Sequence, residues 1–258
     1  MLGCLNWLRI YPMKEAIPTS LIHAPDPGNA GGGKKIIMEI QQWAVLVWQQ
    51  IKETDILQWL AVSFGVAEVL FAKANKIWLY PTGLIATILS VIILFEAGLY
   101  AECLLNGYYI IMSIYGWWYW ITKKNKPLVA VTWCSKRDWI VVSAITFGGF
   151  IFLVHLLKQY TNSTVPYMDA WISATAWAGM WLLAKRKIEN WILLNISNTF
   201  AIPLLFHKGL PLYALLTIFL FVVAITGYFK WKKIIKSDPS SGISYSDGGT
   251  VASNRKLI

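Results

Sequence analysis

Between Leu57 and Phe229 the chain alternates long apolar stretches with short polar connections. The stretches run Leu57 to Ala72, Ile77 to Phe95, Leu99 to Trp120, Trp139 to Leu157, Tyr167 to Ala184, Trp191 to Phe206 and Pro211 to Phe229. Each approaches the roughly 20 apolar residues that a helix needs to cross a hydrocarbon core of about 30 Å, and flanking side chains reach the headgroups where a stretch is shorter. No succession of ten-residue segments with alternating polarity occurs, which excludes a membrane β-barrel. The pattern predicts an all-α membrane protein with seven transmembrane helices over residues 57–235. Ahead of them, Trp43, Val47, Gln50 and Ile51 form a broken apolar stripe that predicts an amphipathic interfacial helix over residues 39–56. Residues 1–38, with Pro and the run Gly31, Gly32, Gly33, predict a disordered extension without the pattern of a signal peptide; Met38 offers a second translation start. Residues 236–258, rich in Ser, Gly and Asp, predict a flexible tail.

Composition agrees with this reading. In 258 residues, 57% are hydrophobic, 15 are Trp and only 14% are charged, with a mean hydropathy of +0.51; a soluble domain cannot bury so much apolar surface. A net charge of +10 would suggest a nucleic-acid partner in a soluble protein, but its placement speaks for topology instead. Lys73 and Lys76 follow the first span, Lys123, Lys124, Lys126, Lys136 and Arg137 the third, Lys185, Arg186 and Lys187 the fifth, and Lys230, Lys232, Lys233 and Lys236 the seventh. The intervening loops hold little beyond Lys158 and Lys208. Basic loops stay cytoplasmic, so the C-terminus is expected inside and the N-terminus outside a bacterial cytoplasmic membrane.

The chain also repeats itself. An offset of somewhat under half the chain, allowed to drift by a position or two, places Ala72-Lys73 on Ala184-Lys185, Trp78 on Trp191, and Ile114-Tyr115-Gly116 with Trp120 on Ile225-Thr226-Gly227 with Trp231. The spans then divide as three, one and three: residues 57–120, a linker helix at 138–157, and residues 167–231. A single linking span leaves both units the same way up, the SWEET-like parallel plan of transporters whose substrate sits between the repeats. The competing explanation is that every helix end needs aromatic and basic anchors.

Polar side chains in a membrane helix must face protein or a water-filled cavity. On the third span Asn106, Tyr109, Ser113 and Trp117 share one helical face, and on the sixth Trp191, Asn195, Asn198 and Thr199 do the same. Each group alone suits a helix-to-helix hydrogen bond; two such stripes on corresponding helices point to a binding cavity. Trp118, Tyr119, Trp120 and Trp231, at span ends, read as interfacial anchors. Glu102 is shallow enough to draw a cation from outside, whereas Glu68 lies within reach of Lys73 and suits a local ion pair. His23, His155 and His207 are far apart and the three Cys carry no motif, so neither metal nor cofactor is implied. No nucleophile elbow, phosphate loop or paired-acid signature marks an enzyme.

The stretch Leu99-Tyr100-Ala101-Glu102-Cys103-Leu104-Leu105-Asn106-Gly107-Tyr108-Tyr109, continuing Ser113-Ile114-Tyr115-Gly116-Trp117-Trp118-Tyr119-Trp120, resembles the third-helix signature of the Pnu vitamin transporters. Lys185-Arg186-Lys187-Ile188-Glu189-Asn190-Trp191, leading to Asn198, resembles that family's entry into its sixth helix. The resemblance implies seven helices, commonly a homotrimer, and facilitated diffusion of nicotinamide riboside with trapping by a cytoplasmic kinase. Departures are Asn106 and Ser113 where riboside carriers often have Gln and Asn, Leu194 where an aromatic is common, and the added amide Asn195; they keep thiamine as the runner-up and riboflavin in view. A cationic vitamin suits the residues themselves, because Trp and Tyr faces attract such a ring and amides bond a carboxamide or ribose. A lipid-modifying enzyme would show clustered His or Asp at one membrane face, and a seven-helix receptor has no reason for the repeat.

Overall fold

A computed structural model describes residues 32–96, 98, 100–122, 130–161, 163 and 165–237. Among the described residues there are eight helices: α1 (Gly32–Glu53), α2 (Ile56–Lys73), α3 (Leu79–Glu96), α4 (Tyr100–Thr122), α5 (Lys136–Tyr160), α6 (Pro166–Ala184), α7 (Asn190–His207) and α8 (Pro211–Ser237). All seven apolar stretches are helical. The interfacial segment is helical too, but α1 starts at Gly32, inside the 1–38 stretch expected to be disordered, so residues 32–38 are helical instead; residues 1–31 and the tail from 238 lie outside the described residues.

Local sequence sets the helix ends. Ser135 and Asp138 cap α5 reciprocally, the Asp138 amide donating to Ser135 Oγ at 3.2 Å and the Ser135 amide to Asp138 Oδ2 at 2.8 Å. Pro166 opens α6, where the missing amide proton costs nothing. Four residues with left-handed φ close the turns: Asn75 (57°), Gly98 (74°), Arg186 (56°) and Gly209 (69°).

Their spacing is informative. The interval from Asn75 to Arg186 equals that from Gly98 to Gly209, and the same interval separates Lys73 from Ala184 at the ends of α2 and α6, both limits of α3 from those of α7, and Tyr100 from Pro211 at the starts of α4 and α8. The sequence register that set Trp78 on Trp191 therefore needs correcting. Trp78 is 61% exposed, whereas Trp191 is fully buried; the residue matching Trp191 is Tyr80. A Cβ on Gly116 would stand 2.4 Å from the Tyr80 ring and one on Gly227 2.8 Å from the Trp191 ring. Tyr80 meets Trp120 edge-on at 5.2 Å and 87°, and Trp191 meets Trp231 at 5.6 Å and 88°.

The two halves also exchange hydrogen bonds. Trp120 Nε1, at the end of α4, donates to the Ala184 carbonyl at 3.2 Å, and Trp231 Nε1, in α8, donates to the Ala72 carbonyl at 3.1 Å. Both indoles are buried. They are bridges between halves and not the interfacial anchors expected; Trp118, which is exposed, fits that role. Neighbouring helices pack in order, and α4 crosses to α6 as α8 crosses to α2. Helix α6 is central, with 14 of its 19 residues buried against α4, α5 and α7.

The seam between α4 and α6 carries further ties. Lys185 Nζ lies 4.9 Å from the Tyr119 ring and 5.4 Å from that of Tyr115, and the Arg186 guanidinium stacks 3.7 Å above Trp120. Burial lowers the Arg186 pKa to about 10, so it remains a cation at neutral pH. By the same interval the corresponding positions at the α2–α8 seam are Ala74 and Asn75 in place of Lys185 and Arg186, and Thr226, Lys230 and Trp231 in place of Tyr115, Tyr119 and Trp120.

Basic residues gather at one end. Thr132 bridges to the turn after α6, its amide donating to the Arg186 carbonyl at 3.2 Å and its carbonyl accepting from Ile188 at 3.1 Å, and Lys187 pairs with Asp138 at 3.1 Å. At the opposite end the two exceptions to the charge pattern are held locally. Lys208 bonds both oxygens of buried Asp169 at 2.9 and 3.0 Å, and Lys158 lies 4.2 Å from the Tyr167 ring. There Gln50 of α1 also spans the start of α8, donating to the Gly209 carbonyl at 2.8 Å and accepting from the Leu212 amide at 3.0 Å.

Candidate functional site

Four helices, α2, α3, α5 and α8, are long and apolar enough to cross a membrane by length and composition alone. The other three long helices after α1, namely α4, α6 and α7, are less apolar because they carry Asn, Ser, Thr and most of the inward-facing Trp and Tyr. They are also mutual neighbours through α6. The polar chemistry is thus concentrated on one contiguous set of helices.

On α4 the expected stripe forms. Asn106, Tyr109 and Ser113 are all buried, and Trp117 is half-buried against the same core cluster. Ser113 Oγ has no hydrogen-bond partner within the protein. Glu102 lies in the first turn of α4, its side chain outside the described residues.

On α7 the stripe divides. Trp191, Asn195 and Thr199 line a groove of about 440 Å³ whose far wall is α8, with Ile225, Tyr228 and Phe229. Asn198 is not part of that lining; it is 1% exposed, turned into the bundle. Among the described residues neither the carbonyl oxygen nor the amide nitrogen of Asn198 has a hydrogen-bond partner, and Asn195 Oδ1 and Trp191 Nε1 also lack one. Thr199 Oγ1 is satisfied by the Asn195 carbonyl at 2.8 Å. In the first half the residue matching Asn198 is Thr87, which bonds its own helix at Gly83. Asn198 makes no such bond among the described residues, so it presents a donor and an acceptor to whatever occupies the space beside it.

Two features went unread in the sequence. Tyr108 stacks on Trp177 of α6, centroids 4.6 Å apart at 24°, and its hydroxyl donates to the Trp177 carbonyl at 3.0 Å; nothing in the local pattern of either helix pairs them. Tyr80 becomes legible once the offset is held at a single value, but Trp78 two positions earlier matches Trp191 by residue type.

The chain is 24% identical over 218 residues to the nicotinamide riboside transporter PnuC of Escherichia coli (strain K12), covering 73% of this chain and 91% of the relative, and the PnuC of Shigella flexneri matches with the same figures. The crystal structure of the vitamin B3 transporter PnuC superimposes with a TM-score of 0.56 at 21% identity, over 81% of this chain and 94% of that one, so the fold is shared. Residues 55–233, from just before α2 to near the end of α8, match the sequence family described as nicotinamide mononucleotide transporter, and this multi-pass chain belongs to that family.

Proposed function

We propose that the protein carries nicotinamide riboside across the bacterial cytoplasmic membrane by facilitated diffusion, as a non-enzymatic transporter. The observation that carries this reading is the buried Asn198 amide with both ends unsatisfied, on a helix that also presents Trp191 and Asn195, in a member of this family. An unsatisfied buried polar group costs about 1–3 kcal/mol, and a carboxamide or ribose hydroxyl offers the complementary donor and acceptor. Asn106, Tyr109, Ser113 and Trp117 supply the opposing wall in this reading, and Glu102 the outer mouth.

We infer a three-plus-one-plus-three plan, with α2 to α4 and α6 to α8 as parallel repeats and α5 as linker. The constant interval between matching helix ends and turns, and the reciprocal Trp120 and Trp231 bonds, support it. The basic end is assigned to the cytoplasm by the positive-inside rule, which puts the C-terminus inside. Assembly as a homotrimer and trapping by a cytoplasmic kinase belong to the same proposal.

The riboside is favoured over its mononucleotide, although the family carries the latter in its description. A phosphate needs a cation to replace its hydration, and the cations drawn furthest into the bundle are engaged, Arg186 by Trp120 and Lys208 by Asp169. Titration calorimetry on purified protein with nicotinamide riboside, its mononucleotide, thiamine and riboflavin tests the assignment. Binding of the riboside alone is expected. Tight mononucleotide binding overturns the exclusion, and thiamine binding without riboside binding moves the protein to the thiamine carriers.

A further inference from the structure

The turn between α6 and α7 lies under a strap formed by residues 130–135. Thr132 gives its amide to the Arg186 carbonyl and accepts the Ile188 amide on its own carbonyl, in parallel register with Lys187. The Cys134 amide donates to Glu189 Oε1, and Lys187 Nζ donates to the Trp133 carbonyl. Arg186, Ile188 and Glu189 are all buried. The turn between α2 and α3 has the same backbone: Asn75 and Lys76 donate to Ala72 and Phe71 as Arg186 and Lys187 donate to Leu183 and Leu182, and the first bonds of α3 repeat those of α7. It has no strap among the described residues. The Asn75 carbonyl and the Ile77 amide, which match the two groups that Thr132 bonds, have no hydrogen-bond partner there, and neither does Asn75 Oδ1, which is shielded from solvent. Ile77 is half-buried and Trp78 is exposed. Backbone groups at such a turn call for partners.

The chain carries the strap's residue pattern a second time, where the repeat puts it. Val131-Thr132-Trp133-Cys134-Ser135 runs as a β-branched apolar residue, a hydroxyl, an aromatic, a small polar residue and a helix-capping type. Ile243-Ser244-Tyr245-Ser246-Asp247 runs in the same order, and a proline stands at the same distance ahead of each, Pro127 and Pro239. The register is slightly longer than the interval that relates the helices, as a single insertion after Trp231 would make it. The connections agree. The strap follows α4, whose Trp120 bonds Ala184 at the end of α6, and residues 243–247 follow α8, whose Trp231 bonds Ala72 at the end of α2. An extended chain from Ser237 gains about 3.3 Å per residue, against about 1.5 Å per residue for the helical rise from Trp231 to Ser237, so the segment has the length to double back to the α2–α3 turn.

We propose that residues 243–247 dock on the α2–α3 turn of the same chain, Ser244 donating to the Asn75 carbonyl and accepting from the Ile77 amide, and Ile243 taking the place that buried Val131 has in the second half. This is strand addition to an unpaired backbone edge, in which main-chain bonds give affinity and alternate side chains set the register. It gives the first half the cover that the second half has, and ties the chain beyond α8 to α2 and α3 at the basic end. The inference does not depend on what the chain carries.

Disulfide trapping and hydrogen exchange on the intact chain test it. Thr132 and Lys187 are bridge partners, so Ser244→Cys combined with Lys76→Cys places two thiols at the spacing of a bridge, within the range a disulfide spans. Mild oxidation should join them within one chain, as mass spectrometry of the digested monomer reads. Lys76→Cys alone, and Lys76→Cys with Ser253→Cys, keep the same native thiols and should give no such bond. In hydrogen exchange the peptide over the α2–α3 turn should exchange about tenfold faster in Ser244→Pro, which lacks the amide donor, than in the wild type. Ser253→Pro should leave that peptide unchanged, and neither proline should alter the α6–α7 turn. Both substitutions fall after the last membrane helix and spare the bundle, which monodisperse elution checks. Absence of the Ser244 cross-link, equal cross-linking at Ser253, cross-linking only between two copies, or exchange that Ser244→Pro leaves unchanged overturns the proposal.

Discussion

Asn198 is a side chain whose surroundings ask for a ligand, and its replacement separates binding from folding. Asn198→Leu removes a buried donor and acceptor that bond nothing in the protein, and an apolar side chain is not penalised in a helix bundle in lipid. Riboside affinity should fall by about 1–3 kcal/mol by calorimetry, with the thermal midpoint unchanged or raised. Cys134 carries a different expectation. Burial raises its thiol pKa, and the nearby Glu189 carboxylate, which accepts from the Cys134 amide at 2.7 Å, raises it further. The thiolate is the reactive form, so at pH 7 Cys134 should resist maleimide for hours while an exposed engineered Cys labels, and mass spectrometry resolves the two. Cys134 stood out in the sequence only as a residue type, and Asn198 as one member of the sixth-span stripe. That Asn198 faces the interior and Asn195 and Thr199 a groove with α8 depended on where α8 lies, which helical periodicity does not encode. Side chains four positions apart share a face, but their neighbours are chosen by tertiary packing.

At the scale of elements, the apolar stretches located the helices α2 to α7 to within about three residues and the start of α8, whose end at Ser237 lies well beyond Phe229, because a bilayer demands long apolar runs and basic residues mark their ends. Boundaries set by other chemistry were less legible: α5 begins at Lys136, ahead of the expected linker helix, because Ser135 and Asp138 cap it. Helix α1 was read as an interfacial stripe, yet its tie to the bundle is polar. Gln50 is buried and spends both ends of its amide on the turn into α8, and Trp43 meets Phe206 edge-on at 5.4 Å. Gln50→Ala should leave the Leu212 amide and the Gly209 carbonyl unpaired, at a cost of about 1–3 kcal/mol. Faster hydrogen exchange confined to the first turn of α8 would report it; a global loss of protection would mean that α1 supports the whole bundle.

At the scale of the molecule, the repeat was visible as recurring Trp, Gly and basic residues, but only the turn geometry fixed its offset at one value. The two halves match in backbone and differ in chemistry: Glu68 against Gly83 answers Gly179 against Leu194, and Thr87 answers Asn198. Sequence comparison of the halves could not show this exchange, because volume conserved across two helices looks like two unrelated substitutions. The seams differ as well. The joint between α4 and α6 is tied by Trp120, Lys185 and Arg186, whereas that between α2 and α8 carries at its basic end the Trp231 indole bond to Ala72. Helix α8 is tied by Gln50 at one end and by the Trp231 indole at the other, and the seam without the Lys185 and Arg186 stacking is expected to be the first to loosen. Amides near Trp231 should exchange with solvent faster than those near Trp120. Trp231→Phe should widen that difference, and Trp120→Phe, with Arg186 and Lys185 still in place, should change it less. A transporter built this way is expected to open along the α2–α8 joint and to keep the α4–α6 joint as its fixed frame.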